Sequence, residues 1–189
     1  LAVEVERMLS QTGADRVHLI GHSLGGVVIA QAIASGRLAG KVDTIVTLGA
    51  PFGGSPWAHL LPVGAIARAL REGSPLLRRL ASTPVPEGLR WLAITATLDV
   101  VVPGARSVPA HAEVETVTIG GVGHLGMLAS PQVVRRIVAA FSAITNEDKA
   151  SEARSFHQPS DTCSAKVQRR RRELHEKSPL AGGADGCQR

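Results

Sequence analysis

Apolar positions alternate between short unbroken runs and longer helical stripes. In residues 1–11, Val3, Val5, Met8 and Leu9 stand among Glu4, Glu6 and Arg7, the spacing of an amphipathic helix. Gly13-Ala14-Asp15 ends that helix, and Val17-His18-Leu19-Ile20 follows as a β-rich run. A second helical stretch, rich in Ala, Val and Ile, fills Gly26 to Ala34, with Ser35-Gly36 and Gly40 marking the next turn. Val42 to Leu48 is mostly apolar, as a strand buried on both faces of a parallel sheet must be. Trp57 to Arg90 predicts short amphipathic helices. Leu60-Leu61, Ala65-Ile66, Ala69-Leu70, Leu76-Leu77 and Leu80-Ala81 are their apolar pairs, and Gly73, Pro75 and Pro84 are breaks. Trp91 to Leu98 and Thr116 to Ile119 read as two further strands. Pro131 to Ile144 closes the pattern as a helix capped by Ser130, with Val133, Val134, Ile137, Val138 and Phe141 as its apolar stripe. From Thr145 onward branched apolar residues thin out, and residues 145–189 are expected to be a disordered polar tail. Strands alternating with helices place residues 1–144 in the α/β class, with a mostly parallel sheet of about four strands flanked by helices.

The chemistry concentrates where strands end. Gly21-His22-Ser23-Leu24-Gly25 joins the first strand directly to the second helix, the strand–turn–helix context of a nucleophile elbow. Such a turn forces Ser23 into a strained backbone conformation and holds its hydroxyl at a helix N-terminus, where developing negative charge is favoured. Gly21 and Gly25, without a Cβ, are expected to let strand end and helix start pass close together. The amide N–H of Leu24 is an oxyanion donor in that geometry. Gly49-Ala50-Pro51-Phe52-Gly53-Gly54-Ser55 leaves the C-terminal end of the next strand, where ligand crevices of open α/β sheets lie.

Asp99 stands just past the C-terminal end of the Trp91–Leu98 run, within reach of the same edge. Asp43 begins its strand, and Glu113 and Glu115 precede theirs, so these rivals sit at the wrong end of a parallel sheet. His124 lies in Gly120-Gly121-Val122-Gly123-His124, a glycine-rich loop after the last strand, whose backbone lets the imidazole swing over Ser23. The other histidines have weaker claims. His18 is inside a strand, His22 adjoins the serine and cannot easily fold back on it, His59 and His111 lack a motif, and His157 and His175 lie in the tail.

GHSLGG after VHLI, then TLGAPFGGSPWA, LDVVVP and GGVGHLGML, resemble the serine lipases and esterases of the α/β-hydrolase superfamily, over the chain to about Phe141. The resemblance implies a catalytic triad of Ser23, Asp99 and His124 in the chain order of that superfamily. It implies hydrolysis of a small-molecule ester or lipid through an acyl-enzyme intermediate, with no metal and no organic cofactor. It also implies a helical cap over about 57–90. Ala50 and Phe52 depart from the family's Gly-Thr-Pro-His-x-Gly-Ser segment. The family places four strands with their helices before the elbow strand, and its second oxyanion donor comes from a loop after the third of them. Residues 1–144 are therefore expected to be the C-terminal part of the fold. Val17 to Ile20 then becomes an exposed sheet edge open to self-association. Two other readings stay open: an inactive truncated remnant, and an acyltransferase or thioesterase on the same scaffold.

Composition changes this picture little. The 189 residues are 44% apolar, enough for one core, and no apolar run approaches the roughly 20 residues of a membrane span. The net charge is +5, with 12 basic against 9 acidic residues up to Ile144. That balance gives no nucleic-acid signal, and Arg169 to Arg172 read as a solvated tail. Cys163 and Cys187 both lie beyond the core pattern and cannot staple it. No signal-peptide pattern opens the chain, which leaves cytoplasmic and secreted locations both open.

Overall fold

Four parallel strands pair in sequence order: β1 (Val17–His22), β2 (Val42–Leu48), β3 (Arg90–Ala96) and β4 (Glu115–Ile119). The computed structural model describes residues 1–59, 64–111 and 113–142. The expected tail lies outside the described residues, with Cys163, Cys187, His157, His175 and Arg169 to Arg172. β1 continues through Gly21 and His22, while β3 stops at Ala96 rather than Leu98. The Thr97 amide still donates to the end of β4, at the Ile119 carbonyl, and the Leu98 amide donates past it to the Val122 carbonyl, both at 3.0 Å.

Helices α1 (Ala2–Thr12), α2 (Leu24–Ala34), α3 (Ala65–Ala69), α4 (Pro75–Ser82) and α5, over 131–142, surround the sheet. Successive residues of a strand point to opposite faces, so β2 feeds two cores. Ile45 joins Val27, Ile33, Leu80, Trp91 and Ala93, against α2 and α4. Val46 joins Leu92, Ile94, Ile119, Met127 and Val133, against α5. Ile45, Val46, Ala93 and Ile94 are fully buried, which is why β2 and β3 carry apolar residues on both faces. Each large apolar side chain so buried stabilises the fold by about 1.5–3 kcal/mol, before entropy is counted.

The segment expected to form a cap holds the 3-10 helix Pro56–His59, α3 and α4, while Leu60 and Leu61 lie outside the described residues. α4 starts at Pro75 behind a cap in which the Ser74 hydroxyl accepts from the Leu77 amide at 3.2 Å. Its Leu77 and Leu80 are buried, and Leu80 packs into the α2 core, so this helix is part of the domain body. α3 instead leaves Ile66 60% exposed.

At the other end of the sheet order, β1 pairs with β2 alone among the described residues, and Ile20 is 50% exposed. Among the same residues no helix is long and apolar enough to cross a membrane.

Candidate active site

In a parallel sheet every strand exits at the same edge. Ser23 follows β1 directly, Gly49 follows β2, Asp99 comes shortly after β3 and His124 shortly after β4. Main-chain bonds continue past the strands and lock these exits together. The Ser23 N–H donates to the Leu48 carbonyl at 2.8 Å, and the Gly49 N–H to that of Ile94 at 3.0 Å.

Ser23 has φ 54° and ψ −124°, and among the described residues no other non-glycine has a positive φ. A residue held there costs on the order of 1–3 kcal/mol, which the surrounding packing must over-determine. The packing that does so involves Gly21, as expected from the sequence, but Gly26 in place of Gly25. A Cβ on Gly21 would lie 2.6 Å from the Gly26 nitrogen and 2.8 Å from the Gly25 carbonyl carbon. A Cβ on Gly25 would meet nothing within 4 Å, so the close approach belongs to Gly21. Gly26 is the second constrained position, because its Cβ would come 2.5 Å from that of Ala50. The strand end thus lies on the start of α2, and α2 on the loop after β2. Leu24 is the first residue of α2, so its N–H has no intrahelical acceptor.

Asp99 and His124 meet directly. The His124 Nδ1–H donates to Asp99 Oδ2 at 2.7 Å, with the aspartate side chain fully buried and the imidazole 9% exposed. Asp99 Oδ1 accepts two more bonds, from the amides of Val101 at 3.0 Å and Val102 at 2.8 Å. Three donors on one carboxylate compensate its removal from water. The tautomer follows from chemistry: a carboxylate only accepts, so Nδ1 carries the proton and Nε2 is left as a base. His124 itself leads into a 3-10 helix, Leu125–Ala129, and the Met127 amide donates to the Gly123 carbonyl at 3.2 Å. The glycine-rich loop is therefore tied down rather than free to swing.

Two residues that the sequence did not single out complete this corner. The ring of His22 lies 4.6 Å from that of His124, tilted by 43°, and its Nε2–H donates to the His124 carbonyl at 3.0 Å. Burial is the main cause holding the His22 pKa below its usual value, partly offset by that hydrogen bond, so the ring is neutral at pH 7. The period-2 alternation of β1, with His18, Ile20 and His22 on one face, was the available signal. Gly49, at φ 53°, is the second. A Cβ there would sit 2.8 Å from Asp99 Oδ2, 3.2 Å from His124 Nδ1 and 2.6 Å from Met127 Cε.

The rivals lie elsewhere. Asp43, second in β2, has Arg16 at 3.6 Å and His18 at 3.8 Å. Glu113 and Glu115 sit at the entry to β4, the opposite end of the sheet. His18 stacks on Phe141 at 4.6 Å, and His111 donates to the Leu80 carbonyl at 3.1 Å. The side chain of His59 is outside the described set. An apolar cavity of about 260 Å³ opens between Ile33, Leu77, Leu80, Trp91 and Val108. Phe52 and Gly53 of the loop after β2 belong to its wall, whereas Ser23, Asp99 and His124 do not. No three His, Cys, Asp or Glu side chains are grouped to hold a metal ion among the described residues.

A family model described as a PGAP1-like alpha/beta domain matches residues 4–72, which include the elbow but neither Asp99 nor His124. A structure from a study of carboxylesterases of the thaumarchaeon Nitrososphaera gargenis is similar at a TM-score of 0.52 and 18% identity, covering 78% of this chain and 72% of that one. The monoacylglycerol lipase of Paleococcus ferrophilus gives a TM-score of 0.50 and 15% identity, over 74% of this chain and 71% of that one. The Bacillus licheniformis lipase BlEst2 gives 0.55 and 14%, over 66% of this chain and 64% of that one. At such identities the likeness is one of fold.

Proposed function

We propose that this chain, which has the α/β-hydrolase fold, is a serine hydrolase that cleaves carboxylic esters through Ser23, His124 and Asp99. The observation that carries the reading is the 2.7 Å bond between His124 and the buried Asp99, at the sheet edge where the strained Ser23 also emerges. The lipases and carboxylesterases of like fold support the choice of an ester as substrate.

In this mechanism Ser23 Oγ attacks the ester carbonyl as His124 Nε2 takes its proton. The oxyanion accepts from the Leu24 N–H. Collapse of the tetrahedral intermediate expels the alcohol, which takes the proton back from His124 and leaves an acyl-serine. Water, deprotonated by the same imidazole, attacks the acyl group and frees the acid. Asp99 keeps Nδ1 protonated and stabilises the imidazolium formed twice per cycle. Trp57, 48% exposed with its Nε1–H on the Val100 carbonyl at 2.9 Å, and α3 are the parts of residues 57–90 that serve as a cap.

Hydrolysis of a short p-nitrophenyl ester by the chain, with Ser23→Ala beside it, tests the reading. The wild-type chain is expected to exceed the variant by at least about 10³-fold in kcat, within the range seen for loss of a catalytic nucleophile. Equal rates would remove the hydrolase assignment.

The outer edge of β1, which has no partner strand among the described residues, supports self-association, since such an edge presents a row of open donors and acceptors. Ile20→Lys places a charge on that edge, 50% exposed in the folded chain. It is expected to shift the weight-average mass in sedimentation equilibrium toward the monomer. A monomer at every concentration for the unmodified chain would rule out association through this edge.

A further inference from the structure

The proposed base needs a fixed backbone, and the sequence around it provides little to fix. Gly120, Gly121 and Gly123 precede His124 and carry no side chains to pack. The loop is tied by Gly121 N–H to Thr97 Oγ1 at 3.0 Å, by Leu98 N–H to the Val122 carbonyl at 3.0 Å, and by the Asp99 bond to the ring. The first two hold the loop before His124, and the third holds the ring's far nitrogen. The Met127 amide holds the Gly123 carbonyl at 3.2 Å, and none of these bonds is to the His124 carbonyl. His22 acts there, through its 3.0 Å bond to the His124 carbonyl and its ring contact at 4.6 Å.

We propose that His22 is a positioning residue for His124, clamping the carbonyl of the base so that the imidazole keeps its bearing on Ser23. The inference rests on the hydrolase reading for its meaning, though not for its test. His22 is the last residue of β1 and is bonded in sequence to Ser23. One side chain thereby couples the strand end that presents the nucleophile to the loop that presents the base. His22 is not itself the base, because its Nε2 is committed to a carbonyl. A displacement of about 1 Å in a reacting group is enough to cost about 10²-fold in rate, so a single hydrogen bond at this point has leverage beyond its own strength.

Two substitutions separate the ring from the donor. His22→Phe keeps an aromatic ring against His124 and removes the N–H. His22→Gln removes the ring and returns an amide N–H near the Nε2 position. The primary readout needs no turnover: the low-field proton resonance of His124 Nδ1–H, bonded to Asp99, in NMR spectra of the folded chain. It is expected to be present in the unmodified chain, broadened away by exchange in His22→Phe, and restored in His22→Gln. In steady state, His22→Phe is expected to lose about 10²-fold in kcat with KM within twofold, and His22→Gln to recover most of it. An unchanged resonance in His22→Phe overturns the proposal, as does a resonance that His22→Gln fails to restore. If His22→Phe does not fold, His22→Gln alone decides: a normal resonance supports the clamp and a lost one overturns it. Should wild type and Ser23→Ala hydrolyse esters equally, the hydrolase reading falls while the NMR result still judges the clamp.

Discussion

Asp99→Asn is expected to lower kcat for ester hydrolysis about 10⁴-fold while the chain stays folded. The two acceptor positions of Asp99 explain both halves of that outcome. Oδ1 receives the amides of Val101 and Val102 at 3.0 and 2.8 Å, and an asparagine oxygen can receive them equally well. The turn after β3 therefore survives. Oδ2 receives His124 Nδ1–H at 2.7 Å, and the asparagine NH₂ that replaces it can only donate. The imidazole answers by moving its proton to Nε2, so that Nδ1 accepts from the amide. Nε2, the proposed base, is then a donor and cannot take the serine proton. Such a loss corresponds to about 5.5 kcal/mol of barrier, at about 1.4 kcal/mol per tenfold. Steady-state kinetics and a thermal melt on the same sample check it. A variant within tenfold of wild type would mean that Asp99 does not set the tautomer.

The second large effect is expected from Gly49→Ala, and it combines stability with rate. At φ 53° an L-residue loses about 1–2 kcal/mol relative to glycine. The added methyl would also come 2.6 Å from Met127 Cε and 2.8 Å from Asp99 Oδ2. The methionine end is flexible and can retreat. The carboxylate cannot, because moving it breaks the three bonds it accepts. Crowding of this kind typically costs a further 1–3 kcal/mol, for a total of about 3 kcal/mol. The displaced carboxylate drags His124 with it, so a loss of about 10²-fold in kcat is expected besides the lowered melting temperature. Urea denaturation with kinetics on the folded fraction measures both. Unchanged kcat in the folded fraction would show that the pair tolerates the methyl and that Gly49 matters to the turn alone.

The sheet was legible because β2 and β3 are buried on both faces and so appear as mostly apolar runs, VDTIVTL and WLAITA. Strand direction then put the candidates at one edge, since Ser23, Asp99 and His124 all stand just after strands. Beyond the Asp99–His124 pairing that the resemblance implied, the contacts of His22, Gly26 and Gly49 were not legible, because they depend on packing between distant segments. Gly25 and Gly26 look alike in GHSLGG, yet only Gly26 faces Ala50 and Thr47 across the layer. His22 looked idle because its neighbour in sequence is Ser23, while its partner in space, the His124 carbonyl, is 102 positions away. The loop after β4 looked mobile from its glycines, and its restraints come from Thr97, Leu98, Asp99 and His22 on other elements. α4 could be read as cap or body from its stripe alone. Its Leu80 has its partners in the core under α2.

Ester hydrolysis by this chain requires Ser23 to be an activated nucleophile rather than an exposed hydroxyl. Intact-mass spectrometry after incubation with a p-nitrophenyl alkylphosphonate tests this, because the serine displaces p-nitrophenolate and keeps the phosphonyl group. One adduct is expected, mapped to the peptide containing Ser23, with none on Ser23→Ala or His124→Ala. A chain that stays unlabelled, or labels equally in His124→Ala, would contradict it.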